Sequence, residues 1–188
     1  YKKEEIILNT IESFASEYPL IIANLSTNSY PRDPHRYRRP KKVSNFTLLL
    51  DELGHKYNCL FVTSAGNLFK GWPSALVYQF KSEGYPNYFS NECAEILSPA
   101  DAINAISVGS IAFGQSARST ANLKNPSPFT RINIQDNRFI KPDFVSYDSN
   151  FIINSTTIET EDNGVYCAGN SDNTLNKMSG TSFTAPLI

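Results

Sequence analysis

Long apolar runs are missing from this 188-residue sequence. The longest, around Pro19 to Leu25, falls well short of the roughly 20 residues of a membrane span and suits a buried strand instead. No basic start followed by an apolar stretch is present, so no signal peptide is expected. Cysteine is scarce: Cys59, Cys93 and Cys167 are odd in number and lack metal-ligand spacing. They are expected to be buried structural thiols, which fits a reducing, cytoplasmic setting. Net charge is small too, at −1, which gives no general pull toward nucleic acid or an anionic membrane. No acidic loop has the spacing that a calcium ion demands, and no metal or other cofactor is expected. Histidine is limited to His35 and His55.

What is present is an ordinary globular composition, 40% hydrophobic, long enough for one domain with a real core. Ile7, Ile11, Phe14 and Tyr18 recur at helical spacing behind Glu4 and Glu5, and Pro19 ends that helix. Residues 20–26 then run apolar on both faces, as a strand inside a parallel sheet does. A second amphipathic helix at 44–57 puts Phe46, Leu49, Leu53 and Tyr57 on one face. Two more buried strands are expected at 59–67 and 104–111, with short helices and loops at 73–95 and short extended pieces at 120–177. Alternation of helix and strand predicts an α/β fold, with a mainly parallel sheet flanked by helices.

Near the end, Ser-Gly-Thr-Ser-Phe-Thr-Ala-Pro spans 179–186. A serine at a helix start has an unpaired backbone N–H beside its hydroxyl, where an oxyanion from acyl transfer would be held. Gly180 lets the backbone approach a substrate closely. Taken alone, the tripeptide also reads as an ordinary helix cap.

Other segments turn that balance. The serine motif resembles the nucleophile motif of the subtilisin-like serine peptidases. Val-Thr-Ser-Ala-Gly-Asn at 62–67 resembles that family's strand ending in Ala-Gly-Asn, and Ala-Asn-Leu-Ser at 23–26 its peptide-pairing strand. Residues 98–111 and the Lys-Pro-Asp stretch at 141–143 look like two further family segments, in the family's order. The likeness is greatest to an intracellular bacterial branch.

The resemblance implies a three-layer α/β/α fold and peptide-bond hydrolysis by an endopeptidase. It makes Ser182 the nucleophile and Asn67 the second oxyanion donor, with Asn24, Leu25, Ser26, Ser64, Ala65 and Gly66 as substrate-binding positions. The implied partner is a protein or peptide substrate, with an ATPase as a second partner suggested by that branch; neither membrane nor nucleic acid is expected. The family's aspartate and histidine would lie upstream of residue 1. His35, His55, Asp51 and Asp143 fall in the wrong places to replace them. Residues 1–188 are accordingly expected to be one partial peptidase domain. It would lack the upstream segment and the end of the helix after Ser182, and would be nearly inert as an isolated chain. A non-catalytic peptide-binding or regulatory module is the alternative.

Three stretches stay open. Residues 32–42 carry Arg32, Arg36, Arg38, Arg39, Lys41 and Lys42 around Tyr37, which fits a solvated loop, selection of acidic substrates, or nucleic-acid contact. Trp72 and the aromatics at 85–89 read as packing. Asn170 ends a second Ala-Gly-Asn, but the stronger strand precedes Asn67.

Overall fold

The computed structural model describes residues 2–18, 21–28, 43–69, 74–133, 140–153, 158–160, 163–169 and 174–188. His35, the basic stretch 32–42, Trp72 and Asn170 lie outside them.

Amphipathic spacing sets the first two helices. In α1 (Lys2–Glu17), Ile7, Ile11 and Ala15 pack on the core, and Glu4 and Glu5 sit at the positive end of the helix dipole. Helix α2 (Asn45–Tyr57) starts at Ser44, whose hydroxyl accepts the Thr47 N–H at 3.0 Å. It stops at Asn58, which takes the left-handed conformation that releases a chain from a helix. The buried stripe of α2 is Phe46, Thr47, Leu50, Leu53 and Gly54, while Leu49 is 44% exposed. The expected face through Leu49 is thus turned by one residue. The run Leu48–Leu50 points apolar side chains three ways, and Leu50 is the one that joins Ile11 and Phe61 in the core.

Four strands form the main sheet in the order β1 (Ile22–Leu25), β2 (Leu60–Ser64), β3 (Ala105–Ala112) and β4 (Phe144–Asp148), all neighbours parallel. Strand β2 is sandwiched. Its Phe61 faces the α1–α2 cluster and its Val62 the opposite face, with Val108 and Ala185. Each such side chain contributes about 1.5–3 kcal/mol when fully buried. On that second face lie α4 (Thr181–Thr184) and the 3-10 turn Ala185–Leu187, which completes helix, sheet, helix. Among the described residues β1 is an edge strand, and Ile22 is 67% exposed. The expectation that β1 is covered on both faces therefore does not hold here.

Between β2 and β3, helix α3 (Ser74–Glu83) and two 3-10 turns, Asn87–Ser90 and Glu92–Ala94, build an aromatic cluster. Phe80, Tyr88 and Phe89 are its buried centre, with Phe69 edge-on to Phe80 and Tyr88. The Tyr88 hydroxyl donates to the Pro128 carbonyl at 2.7 Å, and burial pushes its phenol far up. After β4 come two antiparallel pairs, β5 (Phe151–Ile153) with β6 (Ile158–Thr160) and β7 (Val165–Ala168) with β8 (Leu175–Met178). All three cysteines are free thiols; Cys59 and Cys93 are buried and Cys167 half-buried. Among the described residues, no helix is long and apolar enough to cross a membrane.

Candidate functional site

Parallel sheets gather loops at the carboxyl ends of their strands, and that is where ligands of such folds sit. In this sheet Leu25 lies opposite Thr63 and Ser64 opposite Val108, so β1 and β2 end close together. The chain leaves β2 through Ala65, Gly66 and Asn67. It returns to the same place from β8 through Ser179 and Gly180 into α4, whose second residue is Ser182.

Both approaches need glycine. Gly180 has φ +137°, and a Cβ there would lie 2.9 Å from Asn67 Nδ2. Gly66 has φ +99°, and a Cβ would meet Arg131 Cδ at 2.9 Å. L-residues with side chains rarely adopt such backbone, so each position is restricted twice over.

Asn67 and Thr181 lock the two segments together. The Thr181 N–H donates to Asn67 Oδ1 at 2.9 Å, the Thr181 hydroxyl donates to the same oxygen at 3.1 Å, and the Gly66 N–H donates to that hydroxyl at 3.1 Å. With Oδ1 doubly occupied, the amide orientation of Asn67 is fixed by its partners. Its Nδ2, the donor end, has no acceptor among the described residues and lies against Gly180. Ser182 is half-buried in the first turn of α4, where a backbone N–H has no intrahelical partner, and its hydroxyl bonds to none of the described residues.

From the other side, Ser26 Oγ donates to the Ser182 carbonyl at 2.9 Å and to Asn24 Oδ1 at 3.3 Å. Asn24, Ser26, Gly66, Asn67 and Ser182 thus converge. The remaining named positions are more enclosed. Leu25 packs its side chain on the α1–α2 core, leaving only its main chain for a ligand. Ser64 and Ala65 are fully buried; the Ser64 carbonyl accepts from Asn28 Nδ2 and the Ala65 N–H donates to Val108. His55 is exposed in the last turn of α2, away from this convergence. Asp51 accepts the Ile103 and Asn104 N–H groups, a loop cap.

Asp143 has a structural role, as its place in the Lys-Pro-Asp stretch suggests. Burial alone would push its carboxyl up. The Lys141 ammonium at 2.6 Å and the Ser107 N–H and hydroxyl outweigh that and hold it below the usual carboxylate range.

Two charged residues at the site escaped the sequence reading. Arg131 is fully buried; its Nε donates to the Asn67 carbonyl at 3.2 Å, and its Nη1 to the carbonyls of Cys93 and Glu95 at 2.8 Å each. It therefore ties the Asn67 backbone to the aromatic cluster. Asp148, at the end of β4, accepts the Gly180 N–H at 3.0 Å and the Ser149 N–H at 2.6 Å. Burial pushes its carboxyl up to about 6, against those hydrogen bonds. The Ser149 and Ser179 hydroxyls add a further bond to the same turn.

A serine in the first turn of a helix, beside a side-chain amide fixed at the carboxyl end of a parallel strand, is an arrangement that acyl transfer can use. The chain belongs to the subtilase family, a family of serine peptidases: the family's sequence profile matches residues 2–188. It is similar to an uncharacterized protein of Sinorhizobium fredii, 30% identical over 167 residues. That alignment covers 78% of this chain and 38% of the relative, so the chain spans well under half of that protein's length.

Proposed function

We propose that this chain carries the nucleophile and oxyanion side of a subtilisin-like endopeptidase. Ser182 Oγ attacks the carbonyl carbon of a peptide bond, and its proton passes to a histidine base held by an aspartate, both supplied by the upstream segment that the family places before residue 1. The oxyanion accepts hydrogen bonds from Asn67 Nδ2 and the Ser182 N–H. The C–N bond then breaks, the amine leaves with the proton, and water releases the acyl group from Ser182. The observation that carries this reading is the Thr181–Asn67 lock, which occupies Oδ1 and leaves the donor end of the amide beside the serine turn.

A non-catalytic peptide-binding module is the second reading. It draws on one fact: among the described residues no base stands beside the Ser182 hydroxyl. Incubating the complete protein with a mixed peptide library, and reading new termini by mass spectrometry, separates the two. Hydrolase chemistry predicts internal cleavage that Ser182→Ala abolishes. Binding without cleavage, unchanged by Ser182→Ala, supports the module and overturns the hydrolase.

A further inference from the structure

A cleft of about 450 Å³ opens beside the serine turn, with Asn67, Ser179 and Gly180 at its inner end. Its walls are mostly apolar. Phe69, Phe129 and Phe151 supply three aromatic faces, and Phe129 and Phe151 pack on each other with ring centres 4.8 Å apart. Phe69 is held with φ +70°, a conformation rare for a bulky residue, where its ring wedges against Phe80 and Tyr88. The aromatic cluster thus gives the cleft a firm floor.

Helix α3 closes one side with Val77 and Lys81, which at i and i+4 fall on one helix face. Among the described residues, half-buried Lys81 makes no hydrogen bond or ion pair and no carboxylate lines the cleft. A lysine in that setting covers apolar wall with its stem and keeps its ammonium available at the rim.

The placement of the cleft fixes which part of a substrate reaches it. Strand β1 meets Ser182 from one side, through Ser26, whereas the cleft opens from the Asn67–Gly180 side toward β5 and β6. A chain that pairs with β1 up to the attacked carbonyl would continue past Ser182 into the cleft.

We propose that this cleft receives the segment of substrate that follows the cleaved bond, and that Lys81 selects there for a carboxylate on a short aliphatic stem. The carboxylate has two sources, an acidic side chain just after the bond or the C-terminus of a short leaving segment. The proposal rests on the hydrolase reading above and adds the chemistry of the leaving side to it.

The test uses the complete protein and quenched fluorescent peptides in three matched forms. One has glutamate after the bond and an amidated end, one has glutamine and an amidated end, and one has glutamine, a short leaving segment and a free carboxylate. In low salt, kcat/KM for one anionic form should exceed that of the neutral form by about fivefold, the size of a modest charge contact. The form that gains identifies the source of the carboxylate. The ratio should fall to about one in Lys81→Met, fall below one in Lys81→Glu, and shrink as salt rises. A wild-type ratio of one for both anionic forms, or an unchanged ratio in Lys81→Met, overturns the proposal; Lys81 would then merely complement the carboxyl end of α3. No cleavage of any peptide together with no reaction of Ser182 with a fluorophosphonate removes the hydrolase reading itself, and this proposal with it.

Discussion

Two stretches of backbone meet at the serine turn, and they are held there by different forces. Residues 64–67 continue β2, four of whose five residues are buried, and they inherit the rigidity of a strand packed on both faces. Residues 179–182 arrive from β8, all four of whose residues are exposed, so the strand that leads into the turn does little to fix it, although Gly180 and Thr181 are themselves buried. Polar contacts do that work instead, through Asp148 on Gly180, Asn67 on Thr181 and Ser26 on Ser182. One half of the site is therefore set by core packing. The other depends on a few hydrogen bonds, each worth about 0.5–1.5 kcal/mol net, more where a charge takes part.

The largest effect that probes this contrast belongs to Asn67, which serves both halves. Asn67→Ala in the complete protein should lower kcat about 10²–10³-fold with little change in KM, because the amide donor is useful only once the oxyanion forms. That range is the cost of removing one such donor from a subtilisin. Asn67→Asp keeps an acceptor for Thr181 and loses the donor, so kcat should fall at least as far while thermal stability holds. A loss expressed in KM would make Asn67 a ground-state contact.

Next in size is a pair of glycine substitutions, one on each side. Gly66→Ala forces a methyl against the buried Arg131 stem, and Gly180→Ala forces one against Asn67 Nδ2, both at positive φ. Each should cost about 1–3 kcal/mol of backbone strain. Thermal unfolding should register Gly66→Ala in full, since Arg131 is enclosed. Gly180→Ala should slow Ser182 chemistry more than it lowers stability, since the exposed β8 strand that leads into the turn can yield. Equal losses of stability would erase the distinction between the two halves.

The smallest effect concerns Asp148. Its folded carboxyl titrates near 6, above the ordinary value of 3.8, so between those pH values the folded chain holds a proton that the unfolded chain has lost. Stability from this group therefore grows as pH falls through about 6 and is lost as pH rises. Between pH 7 and pH 5 the wild type should gain about 1 kcal/mol relative to Asp148→Asn. Parallel stability curves for the two proteins would show that Asp148 titrates at its ordinary value.

The contrast also explains what the sequence made legible. Strands β2 and β3 read as buried strands because they carry no charge on either face, and α1 and α2 announce themselves by spacing, although the triple leucine of α2 hid which residue points inward. The residues from Asn24 to Ser182 were named through motif likeness, which marks positions and not contacts. Arg131 and Asp148 escaped because charged residues are ordinarily solvated, and Asp-Ser-Asn after a strand reads as a turn. Their burial comes from segments distant in sequence: Arg131 reaches Cys93 and Glu95, and Asp148 reaches Gly180. Lys81 was hidden for the same reason, since nothing in α3 alone shows that it borders the turn before Ser182.

The central claim is that Ser182 is an activated nucleophile in the complete protein, and covalent labelling tests it most directly. At neutral pH a fluorophosphonate reacts with a serine whose proton is taken by a base, and ordinary serines stay unmodified. Intact-mass and peptide mass spectrometry should find one adduct per chain, on Ser182, absent from Ser182→Ala and formed much more slowly in Asn67→Ala. No adduct on the wild type, or an adduct that persists in Ser182→Ala, would contradict the assignment.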